Sequence, residues 1–313
     1  MSNDPYIYFF LETGKTRVAA VELNPDTASI PALIRKVVHT QKTQFFDGVG
    51  TTQRTSSNLL QRCFYFPLRV WYQATGFDMK DKILEAWIST EGRQNDKVIL
   101  MGCSRGGYSA QILAQVVNHY GYPTPGDPES NKHLQVCIRK RILSSTAADV
   151  RNISVYALDP VGSHGGLTTP ARCLGFGSKT LPAGLRARVI LMAGEGRIGF
   201  RPNIYDSNSN LLEQVWFDGE HGDAWCLSAS FRSVLAYILG DMCSNGVRIK
   251  DHLLQPIQHQ PRRLGFLSKP LLWQRRYSCP LPPNQVRHNS CSRISDDNES
   301  IPSLHETHLL TLI

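Results

Sequence analysis

Ser104 stands in Gly102-Cys103-Ser104-Arg105-Gly106-Gly107, behind the apolar run Val98-Ile99-Leu100-Met101 and ahead of a segment of helical character. A G-x-S-x-G stretch between a strand and a helix is a nucleophile elbow, a turn that holds its serine in a strained corner with the hydroxyl exposed. The flanking glycines let neighbouring backbone pass close by. Apolar residues at Ile112, Leu113, Val116 and Val117 share one face of the helix expected after the turn. The backbone N–H groups of Ser104 and Arg105 are expected to point into the same space. The alternative is an ordinary tight strand-to-helix turn.

A serine hydroxyl becomes a nucleophile when a base takes its proton and an acid orients that base. On this type of scaffold the chain order is Ser, then Asp or Glu, then His. Asp159 closes the apolar run Val155-Tyr156-Ala157-Leu158 and opens a Pro- and Gly-marked loop, where a triad acid belongs. His221 follows the run Val215-Trp216-Phe217 in Asp218-Gly219-Glu220-His221-Gly222. The other nine histidines fit less well. His252, His259, His288, His305 and His308 lie in or beside a polar tail; His39, His119 and His133 fall near helix ends or in a polar loop; and His164 follows Asp159 too closely. The residues therefore predict Ser104 as nucleophile, Asp159 as acid and His221 as base.

The elements that must position these residues alternate along the chain. Strand-like runs cover 6–11, 43–46, 97–101, 154–158, 188–192 and 214–217, and helix-like segments cover 27–39, 80–90, 109–119 and 227–239. This order predicts an α/β fold, a mostly parallel sheet with helices on both faces and ligands gathered at the carboxyl ends of the strands. No internal repeat is visible. From 255 onward the composition turns to Pro, Ser, Gln and Arg without a sustained period. The expected organisation is a catalytic domain over 1–254 and a low-complexity, disordered basic tail over 255–313. Arg262, Arg263, Lys269, Arg275 and Arg276 offer an alternative use for that tail, as an arm for a membrane surface or partner.

The bulk properties narrow the classes further. The chain has 313 residues, 41% of them hydrophobic, which suits a soluble globular protein with a packed core. Eight cysteines are scattered without C-x-x-C pairs, so neither a zinc site nor a disulfide scaffold is expected, and no cofactor is implied. The opening run Tyr6-Ile7-Tyr8-Phe9-Phe10-Leu11 is too short for a signal-peptide core or a membrane span, so a cytoplasmic setting without a transmembrane segment is the expectation. A net charge of +8 favours transient contact with anionic surfaces, phospholipid headgroups included. Without interleaved aromatic and basic motifs it does not point to nucleic acid.

Four segments in order resemble a known family, the catalytic domain of phospholipase effectors delivered by bacterial type VI secretion, first lipase group, with its uncharacterised bacterial and fungal relatives. Phe46-Asp47-Gly48-Val49-Gly50-Thr51 is similar to the family's D-G-V-G-T loop and Gly102-Cys103-Ser104-Arg105-Gly106-Gly107-Tyr108 to its G-F-S-R-G-A-Y elbow. Leu158-Asp159-Pro160-Val161-Gly162-Ser163 resembles its W-D-T-V-G-S segment, and Trp216-Phe217-Asp218-Gly219-Glu220-His221-Gly222-Asp223 its W-F-P-G-x-H-S-D. The resemblance covers about residues 6–240. It implies an α/β-hydrolase fold, the same triad, and an ester or phospholipid substrate.

It also implies an oxyanion hole built from the backbone N–H groups of Arg105 and Thr13. Relatives carry D-G-T after the first strand, where this chain has Leu11-Glu12-Thr13-Gly14. Arg197 and Arg201 resemble a basic stretch of the family near the site and are candidates for holding an anionic group, with ordinary surface charge as the alternative. Where relatives continue with a glycine-rich run after the histidine, this chain has Asp223-Ala224-Trp225-Cys226, which places Trp225 in the substrate pocket. Asp47 is expected to brace its glycine-rich loop, and the Arg105 side chain to find a structural partner. The predicted function is a serine carboxylic-ester hydrolase of lipase or phospholipase type. Hydrolysis or acyl transfer on a small metabolite ester or thioester is the second reading, and a silent hydrolase-fold scaffold that uses its basic tail is the third.

Overall fold

The strands of four or more residues in the central sheet divide their side chains between two cores. Ile7 and Phe9 of β1 (Tyr6–Phe10) face one cluster with Ile99 and Met101 of β3 (Val98–Cys103), whereas Tyr8 and Phe10 face the other with Val98 and Leu100. A sheet buried on both faces needs near-continuous apolar strands, and every residue of β3 is buried. The computed structural model describes residues 4–17, 29–51, 76, 78–142, 148–162, 176, 180–197, 200–206, 209–226, 228, 230–250 and 286–287.

Seven strands form one all-parallel sheet: β1, β2 (Thr43–Phe46), β3, β4 (Ile153–Leu158), β5 (Arg186–Met192), β6 (Leu212–Phe217) and β7 (Val286–Arg287). Their order is β2-β1-β3-β4-β5-β6-β7. The chain runs from β1 outward to β2 and then returns to lay β3 on the other side of β1. The carboxyl ends of β1 and β3 thus flank a topological switch point, where open α/β sheets leave a crevice. The architecture is of the α/β class, a parallel sheet with helices on both faces.

One face is covered by α1 (Ile30–Val37) and α5 (Phe231–Ser244), the other by α2 (Met79–Ser89), α3 (Arg105–Tyr120) and α4 (Pro128–Lys140). Among the described residues, no helix is long and apolar enough to cross a membrane.

The six expected strands are present, and β3 runs two residues further than expected, to Cys103. Helix α3 starts at Arg105, four residues before the expected 109, because the turn at Ser104 feeds directly into it. The helix expected over 227–239 instead runs Phe231–Ser244. Before it, Ser228 Oγ donates to the Asp223 carbonyl and Ser230 Oγ to that of Asp218, local bonds that compete with helix formation. Helix α4 has only a short apolar stripe: Ile138 is buried, and Leu134 and Cys137 pack half-buried against the same core. Its signal is at its start, where Asp127 Oδ1 accepts from Ser130 N–H at 2.9 Å ahead of Pro128. Of the stretch expected to be a disordered tail, Val286–Arg287 pair with Val215 and Trp216 of β6, and the remainder lies outside the described residues.

Candidate active site

Ser104 directly follows β3 and adopts φ 56° and ψ −123°, a region that side-chain-bearing residues rarely occupy. Two glycines make the turn sterically feasible. A Cβ on Gly102 would lie 2.3 Å from the carbonyl group of Gly106, and one on Gly106 would lie 2.3 Å from the Phe10 carbonyl oxygen. Close approach of β1, β3 and the start of α3 therefore accounts for both. The Ser104 N–H donates to the Leu158 carbonyl at 2.9 Å and so extends the sheet. This corrects the expectation that it points into the same space as the Arg105 N–H.

Asp159 directly follows β4, also with positive φ (40°), and is 1% exposed. His221 opens a short 3₁₀ turn, His221–Ala224, four residues after β6, and is 4% exposed. Asp159 Oδ2 lies 2.5 Å from His221 Nδ1, and His221 Nε2 lies 2.8 Å from Ser104 Oγ. The self-consistent proton arrangement has Nδ1–H donating to Asp159 and the Ser104 hydroxyl donating to Nε2. Asp159 Oδ1 accepts from the Met192 N–H at 3.1 Å, which fixes the carboxylate plane. Burial raises the pKa of Asp159, opposed by its hydrogen bond and charge interaction with His221 and by the Met192 N–H.

Three residues separated by 55 and 62 positions in sequence thus form one hydrogen-bonded line at the carboxyl ends of β3, β4 and β6. Such a line can move a proton from a hydroxyl to an imidazole while an acid holds the ring's tautomer.

Thr13 lies in a turn three residues beyond β1. The turn is pinned by Gly14 N–H donating to Val49 O (2.9 Å) and Gly48 N–H donating to Lys15 O (2.8 Å). A Cβ on Gly48 would sit 1.8 Å from Glu12 O, so the 47–51 loop can lie this close only with glycine there. Asp47 accepts from the Arg17 backbone N–H (2.5 Å) and from its Nε (3.3 Å), bracing the loop as expected. Arg105 Nη1 donates to Thr13 Oγ1 at 3.4 Å, tying this turn to the elbow. Burial lowers the Arg105 pKa, with the Asp78 carboxylate opposing that shift.

The remaining expected substrate contacts separate. Arg201 is exposed. Arg197 is drawn to Glu195, with Nε 2.8 Å from Oε1, and its guanidinium carbon lies 4.0 Å from the Phe200 ring centre. Trp225 is buried in an apolar cluster, its ring edge-on to His221 at 4.7 Å, so it walls the imidazole and does not present an open face. Sequence reasoning missed Glu195 and Phe200. The only signal was a Glu-x-Arg spacing in a loop after β5, and spacing in a loop does not say which side chains turn inward. Among the described residues, no group of three or more His, Cys, Asp or Glu side chains could hold a metal ion.

Comparison with known proteins finds a family model over part of the chain. Residues 17–150 match the family described as type VI secretion system phospholipase effector Tle1-like, catalytic domain. Over these residues the chain resembles the catalytic domains of phospholipase effectors. A solved structure of the Tle1 effector bound to the VgrG spike of the type VI secretion system aligns at 13% identity and a TM-score of 0.38, over 72% of this chain. This chain spans about half (52%) of that one's length. No curated protein matches.

Proposed function

We propose that this protein is a serine carboxylic-ester hydrolase acting on a lipid or phospholipid ester through Ser104, His221 and Asp159. The observation that carries the reading is the continuous line Ser104 Oγ, His221 Nε2, His221 Nδ1, Asp159 Oδ2 at 2.8 and 2.5 Å, with the serine in a strained elbow. The match to phospholipase effector catalytic domains supports the lipid substrate class.

In this mechanism Ser104 Oγ attacks the ester carbonyl carbon while its proton passes to His221 Nε2. The developing oxyanion is received by the Arg105 N–H, at the positive end of the 16-residue helix α3, and by the Thr13 N–H. The tetrahedral intermediate collapses to an acyl-enzyme as His221 gives its proton to the leaving alcohol oxygen. Water then repeats the sequence, with His221 again as base, and releases the carboxylic acid. Asp159 stays ionised throughout, holding the tautomer and stabilising the imidazolium. Arg201, exposed in the loop between β5 and β6, is the candidate of this reading for the anionic group of the substrate.

The test is fluorophosphonate labelling of the wild type beside Ser104→Ala, with hydrolysis of short- and long-chain p-nitrophenyl esters and phospholipid vesicles in parallel. The reading expects labelling that vanishes in the variant and a preference for long acyl chains or vesicles. Labelling with a preference for short chains would replace a lipid ester with a small metabolite ester. A folded wild type that takes no label would sink the hydrolase reading.

A further inference from the structure

One buried carboxylate beside His221 lies outside the hydrogen-bonded line. Glu195, three residues after β5 and 4% exposed, accepts from the His221 backbone N–H at Oε2 (3.3 Å). The same carboxylate accepts from the Arg197 backbone N–H (2.7 Å) and Nε (2.8 Å) at Oε1, and from Nη2 (2.5 Å) at Oε2. Burial pushes the Glu195 pKa up, but the hydrogen bonds and charge of Arg197 outweigh it and hold the carboxyl below its ordinary value. A buried ion pair persists only when its polar atoms are well satisfied, and a fork of this kind is then geometrically stiff.

The fork reaches His221 by a second route. The Arg197 guanidinium lies against the Phe200 ring, and that ring packs 4.6 Å from the imidazole. Trp225 closes another side of the ring at 4.7 Å. Asp159 and Ser104 fix the imidazole along its hydrogen-bonding axis, which leaves tilt of the ring and drift of the 3₁₀ turn to be restrained by other groups. Glu195 restrains the turn through its backbone N–H, and Arg197 with Phe200 restrains the ring.

We propose that Glu195 is a positioning residue for His221, acting together with Arg197 and Phe200, and that Arg197 serves this clamp instead of contacting substrate. The proposal rests on His221 being the general base, because only then does its placement appear in the rate. Misplacing a reacting group by about 1 Å costs on the order of 10²-fold in rate.

The test compares Glu195→Ala, Glu195→Gln, Arg197→Ala and Phe200→Leu with wild type, after circular dichroism has established that each is folded. Glu195→Ala and Arg197→Ala are expected to lower kcat and the fluorophosphonate labelling rate by roughly 10- to 100-fold, with KM changed less than about 2-fold. Arg197→Ala should lose as much on a neutral p-nitrophenyl ester as on phospholipid vesicles. The double variant should lose no more than the worse single, because the two residues act as a unit. Glu195→Gln keeps an acceptor for the His221 N–H and Phe200→Leu keeps apolar volume, so both should fold and show smaller losses of the same kind.

Unchanged kcat in folded variants would overturn the proposal, as would a loss for Arg197→Ala confined to KM on vesicles. A readout independent of turnover is the low-field NMR signal of the His221 Nδ1 proton in the Ser104→Ala protein. Adding Glu195→Ala should broaden it or hasten its exchange, and an unaltered signal would overturn the clamp. A wild type inert to fluorophosphonate would remove the hydrolase reading, while this signal would still judge the clamp.

Discussion

At Asp159 the catalytic demand and the folding demand pull in opposite directions. A carboxylate 1% exposed is costly to ionise, and burial does raise its pKa, yet in the proposed mechanism the imidazolium formed next to it is stabilised by its charge. The Met192 N–H and His221 offset part of that cost. Asp159→Asn keeps the shape and removes the charge; its amide can donate to Nδ1 and so favour the tautomer with Nε2 protonated, which cannot accept from Ser104. The expected result is a kcat reduced by about 10³- to 10⁴-fold with the fold intact, checked by steady-state kinetics beside thermal melting. Ser104→Ala should leave only residual activity attributable to binding and the oxyanion donors.

At the scale of elements, the site depends on three chain segments passing unusually close together. Gly48→Ala would place a Cβ 1.8 Å from Glu12 O, and the 47–51 loop or the Thr13 turn must move. We expect a destabilisation of about 1–3 kcal/mol, measured by chemical denaturation, together with a fall in kcat because the Thr13 N–H shifts. Gly107→Ala is a milder comparison, since its Cβ would meet the Gly102 carbonyl oxygen at 3.0 Å and Pro160 at 3.3 Å. At the far edge of the sheet, β7 shields β6 through Val286 and Arg287. A chain ending at 254 exposes the β6 edge and is expected to aggregate more readily while still accepting fluorophosphonate. Light scattering and labelling of that shortened chain would check both halves.

For the molecule as a whole, a half-buried charge cluster remote from the elbow ties α5 to the sheet. Asp241 of α5 accepts from Tyr156 Oη (2.7 Å), Arg186 Nη2 (2.7 Å) and Arg188 Nε (2.9 Å). Burial would raise its pKa, but the Tyr156 hydrogen bond and the two arginines together hold it below the ordinary carboxylate value. A carboxyl depressed in the folded state contributes stability that is fully present above its unfolded value and is lost as pH falls through the folded one. Melting temperature is therefore expected to drop as pH decreases below about 4, and Asp241→Asn should flatten that part of the profile. Arg188 keeps Glu213 as a second charged partner (3.3 Å), so the substitution should cost about 1–3 kcal/mol at neutral pH. Calorimetry across pH 3 to 7 would test both statements.

Ser104, Asp159 and His221 were legible in the sequence because each directly ends or closely follows an apolar run, and parallel strands deliver their carboxyl ends to one edge. Gly102 and Gly106 were legible too, since only a close backbone approach explains glycine on both sides of one serine. The termini of α5 and the existence of α4 were not, because serine hydrogen bonds interrupt the one and the other carries a stripe of only three apolar residues, Leu134, Cys137 and Ile138. Local pattern also could not tell that Ser104 N–H is spent on β4, that Arg197 turns back onto Glu195, or that Trp225 is buried against His221. Those outcomes depend on which side chains from distant loops meet over one imidazole. Chain order and hydrophobic period thus determined the strands and which candidate residues stand at their ends, whereas the tertiary packing alone decided the partners of the loop residues, since loops carry no periodicity that assigns an inward face.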